Sequence, residues 1–223
     1  MKTNLDNLME QSLAPYIDHT VLRPDTTQQM VAQLCQEAAD HQFAAVCVPP
    51  CFVRQAVDAL QDTGVQIATV VGFPLGYQLA KVKFFEAHQA LSEGATEIDV
   101  VMNIAAFKSG LLDEVTAELH ELSTLCHFKN AVLKVIIETA LLSPEEIIQI
   151  CSLCVQAEVD YVKTSTGFAA RGASVEDILL MRAHLPEHIK IKASGGIKTK
   201  EAALALVKAG ADRIGTSSGV SLL

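Results

Sequence analysis

The feature that most constrains this chain is its rhythm. Short runs rich in Val and Ile alternate with amphipathic helical patterns along the sequence, and the alternation runs through eight cycles without a linker, a low-complexity tract or a break in composition. The runs expected as strands cover 16–18, 43–48, 66–71, 97–101, 132–137, 161–163, 189–193 and 213–215. Between them the helix signals are explicit. Asp25-Thr26-Thr27 offers caps for a helix whose apolar stripe is Met30, Val31, Leu34, Cys35 and Ala38. Ser143-Pro144-Glu145-Glu146 combines an N-cap, a proline at N1 and a glutamate at N3, and Ser174 stands three residues before Asp177. Strands that alternate with helices over short connections form parallel sheets. Eight of them fit a closed (β/α)₈ TIM barrel, whereas an open flavodoxin-like sheet uses about five and leaves three unexplained. The expectation is one barrel domain spanning 1–223, with a short leading helix over 5–13.

In such a barrel, function gathers where the strands end. The residues at those ends are Asp18, Cys47, Gly72, Asp99, Glu138, Lys163, Lys192 and the turn Gly215-Thr216-Ser217-Ser218, a set enriched in ionisable and small side chains. Alternation along a strand sharpens the picture, because residues two apart share a face. Glu97 and Asp99 share one face, as do Tyr161 and Lys163, Lys190 and Lys192, and Lys134 and Glu138. If that face points inward, Asp99, Lys163 and Lys192 converge at the mouth. Neighbouring strands lie about 4.8 Å apart, so the two lysines should repel and one amine should lose its proton more easily. A neutral lysine is a nucleophile. The alternative is that each lysine reaches solvent and Asp99 pairs with one of them. Lys134 and Glu138 could either join the same network or pair with each other.

A second constellation suits an anion. Ser194-Gly195-Gly196 follows the seventh strand and Thr216-Ser217-Ser218-Gly219 the eighth, the two places where barrel phosphate sites are often built. Gly-Gly alone is a weak signal, more often just a tight turn. His19 has no partner at a spacing that marks one, and the other histidines are scattered, so no zinc set emerges. Cys47 is a small core residue or a pocket-lining thiol. Cys151-x-x-Cys154 falls inside a helical pattern without a second pair, which favours buried thiols over redox or metal chemistry.

Composition excludes other classes. A net charge of −9 argues against general nucleic-acid binding. No run approaches the roughly 20 apolar residues of a membrane span. The first residues lead into no signal-peptide core, and six cysteines without an export signal suit a reducing, cytoplasmic setting.

Seven stretches together resemble the deoxyribose-phosphate aldolase family nearly end to end. They are Tyr16-Ile17-Asp18-His19-Thr20, Val70 to Gly76, Glu97 to Asn103, Lys134 to Thr139, Val162 to Phe168, Lys192 to Ile197, and Arg213 to Ser218. The resemblance implies reversible cleavage of 2-deoxy-D-ribose 5-phosphate to D-glyceraldehyde 3-phosphate and acetaldehyde, with no metal or other cofactor. By family position, Lys163 forms the Schiff base, Lys192 perturbs its pKa and assists proton transfer, and Asp99 works a proton relay. Gly167, Gly195, Gly196, Gly215, Ser217 and Ser218 would hold the phosphosugar, with Asp18, Cys47, Lys134 and Thr166 around the pocket. The chain departs from the family's usual pattern at Tyr77 to Lys83 and at Phe168, where some relatives carry lysine. Tyr77 and Leu79 could alter the pocket rim or a subunit contact, and a homodimer is a modest expectation. Two alternatives stay open: another Schiff-base barrel aldolase, and a phosphosugar-binding barrel without catalysis.

Overall fold

In a computed structural model that describes residues 12–223, the strands pair in parallel and in sequence order, and the first meets the last. They are β1 (Ile17–Thr20), β2 (Ala45–Val48), β3 (Gln66–Val71), β4 (Glu97–Val101), β5 (Val132–Ile136), β6 (Tyr161–Lys163), β7 (Lys190–Ser194) and β8 (Arg213–Thr216). Closure is made by β1 against β8, where Ile17 stands opposite Ile214 and Asp18 opposite Gly215. The helices are α1 (Gln28–His41), α2 (Val53–Ala59), α3 (Ala80–Ser92), α4 (Ile104–Lys108), α5 (Leu112–Phe128), α6 (Pro144–Gln156), α7 (Val175–His184) and α8 (Lys200–Ala209). The architecture is the (β/α)₈ TIM barrel that the alternation predicts.

Strand alternation sorts the residues into two environments. Ile98 and Val100 of β4, Val162 of β6, Ile191 and Ala193 of β7 and Ile214 of β8 face outward into the apolar layer beneath the helices, all fully buried. Burying one such branched side chain is worth roughly 1.5–3 kcal/mol, and this layer is where the fold draws most of its stability. Their neighbours on the opposite faces point into the barrel. The helices are set against this layer by their caps. Thr27 accepts from the Met30 amide, Ser174 from Asp177 and Thr199 from Ala202, and Ser143 with Glu146 completes a reciprocal capping box.

Several boundaries differ from the sequence expectation. The first strand starts one residue later and runs to Thr20, because Pro15 and Tyr16 belong to a short 3₁₀ turn. Phe43 lies before β2 with its ring in the core, and β7 runs on to Ser194. The helix α4 was not anticipated. It is capped by the Asn103 side chain, which accepts from the Ala106 amide. The expected leading helix over 5–13 lies almost wholly outside the described residues; Ser12 and Leu13, within them, are not helical. Tyr77 and Leu79 sit on the surface, 63% and 76% exposed. Lys83 is instead fully buried, with its Nζ 2.7 Å from Glu118 Oε1 and donating to the Val101 carbonyl at 2.9 Å. That pair ties α3 and α5 to the end of β4. Cys151 and Cys154 are buried free thiols in α6, and burial pushes both pKa values up.

Candidate active site

The inward faces of β1 and β4–β8 carry a lattice of buried charge. Asp18, Glu97 and Asp99 supply carboxylates; Lys134, Lys163, Lys192 and Arg213 supply cations. Asp99 is the hub. Its Oδ1 accepts from Lys134 at 2.9 Å, and its Oδ2 accepts from both Lys163 at 2.7 Å and Lys192 at 2.8 Å. Lys192 also lies 2.6 Å from Asp18 Oδ2, an ion pair without an aligned hydrogen bond. Lys134 pairs closely with Glu97 and stands 4.0 Å from Asp18. Arg213 closes the base, donating to Asp18 and, at 3.2 Å, to Glu97.

The remaining interior is small and apolar. Cys47, Ala68 and Val70 of β2 and β3 form a separate cluster against which Leu22 and Phe73 pack. Cys47 is fully buried, and burial raises its thiol pKa, so it presents a neutral wall.

The lysines differ in how many carboxylates they meet. Burial opposes the charge of Lys192, but Asp18 and Asp99 outweigh it and its pKa lies above the lysine range. Lys134 behaves alike, held charged by Asp99 and Glu97. Among the described residues Lys163 meets the carboxylate of Asp99 alone. There burial prevails over the pull of Asp99, the charge of Lys192 adds to it, and the pKa falls below the ordinary lysine value. The direction matches the sequence expectation, but the main cause is desolvation, with repulsion from Lys192 secondary. The two amine nitrogens share one carboxylate oxygen, which damps any repulsion between them.

Above Lys163 opens a cleft of about 330 Å³. Its walls bring together most of the residues expected to hold substrate: Thr166, Gly167, Gly195, Gly196, Gly215 and Ser217. Ser218 is not among its walls; its amide donates to Thr216 Oγ1 and it heads the final 3₁₀ turn. Asp18 and Lys134 lie deeper, in the charge lattice. Gly195 adopts φ +86°, and an added Cβ there would come within 2.9 Å of the Gly172 backbone. At Gly215 an added Cβ would meet Ser194 Oγ at 2.2 Å and Lys192 Cε at 3.0 Å. Glycine at these positions keeps backbone amides and the lysine within reach of one ligand.

Glu138 does not pair with Lys134. It lies beyond the end of β5 in a left-handed conformation, φ +53°, so strand alternation no longer governs it. Its Oε2 accepts from the Thr166 amide at 3.1 Å and from the Thr166 hydroxyl, fixing the loop after β6. Phe168, in that loop, is 55% exposed and meets Phe73 edge-to-face with centroids 5.3 Å apart across the mouth. His19 sits within β1, and its Nε2 lies 2.7 Å from Glu37 Oε2 of α1. Among the described residues no cluster of three or more His, Cys, Asp and Glu is arranged to hold a metal, and no helix is long and apolar enough to cross a membrane.

The sequence model of the DeoC/LacD family aldolases matches residues 13–223, nearly the whole chain. The chain belongs to that aldolase family. The DeoC/LacD assignment makes it a class I aldolase, a carbon–carbon lyase. The chain is 48% identical to a deoxyribose-phosphate aldolase of Brevibacillus brevis, over 93% of each chain. It is likewise 48% identical to one of Caldicellulosiruptor saccharolyticus, over 97% of this chain and 99% of the relative. A solved structure described as a tetrameric deoxyribose phosphate aldolase of Aeropyrum pernix superposes with a TM-score of 0.88. It is 35% identical and covers 94% of this chain and 88% of that one.

Within this DeoC/LacD barrel the site holds one group that the sequence reading did not place there, Arg213. With Glu97, which alternation sets on the face of Asp99, it completes the lattice, and alternation would have found it too, since it precedes inward-facing Gly215 by two. Ser194 shares the inner face of β7 with Lys192, and its buried Oγ has no hydrogen-bond partner although it lines the cleft. A sugar hydroxyl would satisfy it.

The lattice also makes this aldolase barrel sensitive to acid. Burial opposes ionisation of Asp18, but Lys192, Lys134 and Arg213 together hold its pKa at about 2, against an ordinary 3.8. A carboxyl depressed in the folded state contributes stability that is complete above its unfolded pKa and lost as pH falls through the folded one. Asp18 should therefore contribute about 2 kcal/mol that disappears between roughly pH 4 and 2. Urea unfolding across that window should show this slope. In Asp18→Asn the protein should be weaker at neutral pH and the slope shallower; an unchanged slope would count against this role.

Proposed function

We propose that this protein catalyses the reversible cleavage of 2-deoxy-D-ribose 5-phosphate to D-glyceraldehyde 3-phosphate and acetaldehyde through a Schiff base on Lys163. One observation carries the assignment of the nucleophile: of Lys134, Lys163 and Lys192 on the inner faces of the strands, Lys163 alone has a lowered pKa, and it alone forms the floor of the glycine-lined cleft. The names of the relatives supply the substrate, and 1–223 acts as one catalytic domain.

The free amine of Lys163 adds to the substrate aldehyde, and loss of water gives an iminium. Removal of the proton from the C3 hydroxyl breaks the C2–C3 bond and releases D-glyceraldehyde 3-phosphate. The bonding pair moves towards the iminium nitrogen, leaving an enamine. Protonation at C2 and hydrolysis then release acetaldehyde and restore the amine. Lys192, which stays protonated, is the acid beside the reacting nitrogen. Asp99 Oδ2 touches both amines and is the bridge for protons between them, while its own pKa, far below the usual range, keeps it ionised. The apolar wall of Cys47, Val70, Leu22 and Phe73 suits the two-carbon fragment. Amides and hydroxyls of Gly167, Gly195, Gly196, Gly215 and Ser217 suit the phosphate, with Phe168 adding no positive charge. The sugar and acetaldehyde are the partners; neither a nucleic acid nor a membrane has a part in this chemistry. We place the enzyme in the cytoplasm. A homodimer remains our proposal for its assembly.

Borohydride reduction in the presence of acetaldehyde should add an ethyl group to Lys163, located by peptide mass. No adduct, or an adduct confined to another lysine, would defeat this mechanism.

A further inference from the structure

The interior lattice holds three carboxylates and four cations. Lys192 and Arg213 each engage two carboxylates and Lys134 three, whereas Lys163 engages only Asp99. Three carboxylates are neutralised by those three bridging cations, which leaves Lys163 as the surplus. Lys163 is buried at the floor of the cleft, where an uncompensated charge is costly, so the set is most stable with Lys163 neutral. Of the four cations, Arg213 alone is permanently charged, because a guanidinium does not deprotonate in proteins. It is also remote from the chemistry. It begins β8, stands opposite Lys192 in register, is absent from the cleft walls, and reaches Asp18 and Glu97 rather than Asp99.

We propose that Arg213 is a positioning residue: a fixed counter-charge at the base of the barrel that satisfies Asp18 and Glu97, so that Lys134 and Lys192 stay charged on Asp99 and Lys163 rests as the free amine. This rests on Lys163 being the nucleophile. The groups facing the lattice from each strand are Asp18 (β1), Cys47 (β2), Glu97 and Asp99 (β4), Lys134 (β5), Tyr161 (β6), Lys190 and Lys192 (β7) and Arg213 itself; Ala68 and Val70 of β3 carry no charge. Cys47 is held as a thiol. Lys190 is exposed and, like Arg213, caps the Tyr161 ring, at 5.7 and 6.0 Å from its centroid. Glu138, near the mouth, is engaged by Thr166 and influenced by Arg171.

The test is the pH midpoint for borohydride trapping of acetaldehyde on Lys163, read by peptide mass. Arg213→Met leaves three carboxylates facing two fixed cations, draws Lys163 into its charged form, and should raise the midpoint by about one pH unit or more. Arg213→Lys should return it towards wild type. Glu97→Gln removes a carboxylate instead and should lower the midpoint. Loosened packing would move both variants in the same direction, so opposite shifts distinguish charge balance from a structural role. A midpoint unmoved or lowered in Arg213→Met overturns the proposal. If that variant does not fold, an unmoved or raised midpoint in Glu97→Gln overturns it. Absence of any wild-type adduct on Lys163 would defeat the nucleophile assignment itself, whereas a wild-type adduct with unmoved midpoints would defeat the role of Arg213 alone.

Discussion

Lys163→Ala should reduce turnover of 2-deoxy-D-ribose 5-phosphate by on the order of 10⁴-fold or more, the scale seen when a covalent nucleophile is removed. The loss should fall on kcat, because the cleft walls proposed to hold the phosphosugar come from other residues. Thermal stability should hold or rise slightly. The substitution removes a buried amine that meets a single carboxylate, and Asp99 keeps its bonds from Lys134 and Lys192. Circular dichroism melting beside steady-state kinetics would check both halves. Activity within tenfold of wild type would move the Schiff base to another residue.

Asp99→Asn should do the opposite to stability while also damaging catalysis. The side chain keeps its shape, but three amines lose the carboxylate they share. Breaking a buried ionic set by removing one partner costs about 3–5 kcal/mol. The loss should be smaller at alkaline pH, where the lysines can shed protons and relieve their repulsion. In activity, removal of the proton bridge between Lys163 and Lys192 should cost on the order of 10²- to 10⁴-fold. Denaturant titrations at neutral and alkaline pH, with single-turnover kinetics, would separate the two effects. A neutral ΔΔG at pH 7 would mean the lattice contributes little, and the charge count argued for Arg213 would fall with it.

Much of this site was legible beforehand because a strand has a period of two. Once Lys163 was placed on the sixth strand and Asp99 on the fourth, the face they share followed from alternation, and so did the position of Lys192. The same logic placed the glycine loops, since a barrel gathers its strand ends at one mouth. It failed at Glu138, where the chain has left β5 with positive φ and no longer alternates. It also stopped short at Arg213, which shares an inner face with Gly215 but stands at the opposite end of its strand from the mouth.

The fold, the family and the face on which the ionisable groups lie can all be read from the linear chain, because alternation, capping and motif order are displayed in it directly. How the three barrel lysines differ in charge environment is visible only in the folded structure, and it supports the proposed role of Lys163. That difference depends on how many carboxylates surround each amine. Lys134 and Lys192 meet more than one and stay charged; Lys163 meets only Asp99, and burial prevails. A pKa set by desolvation is a property of the closed barrel, assembled from strands far apart in the chain.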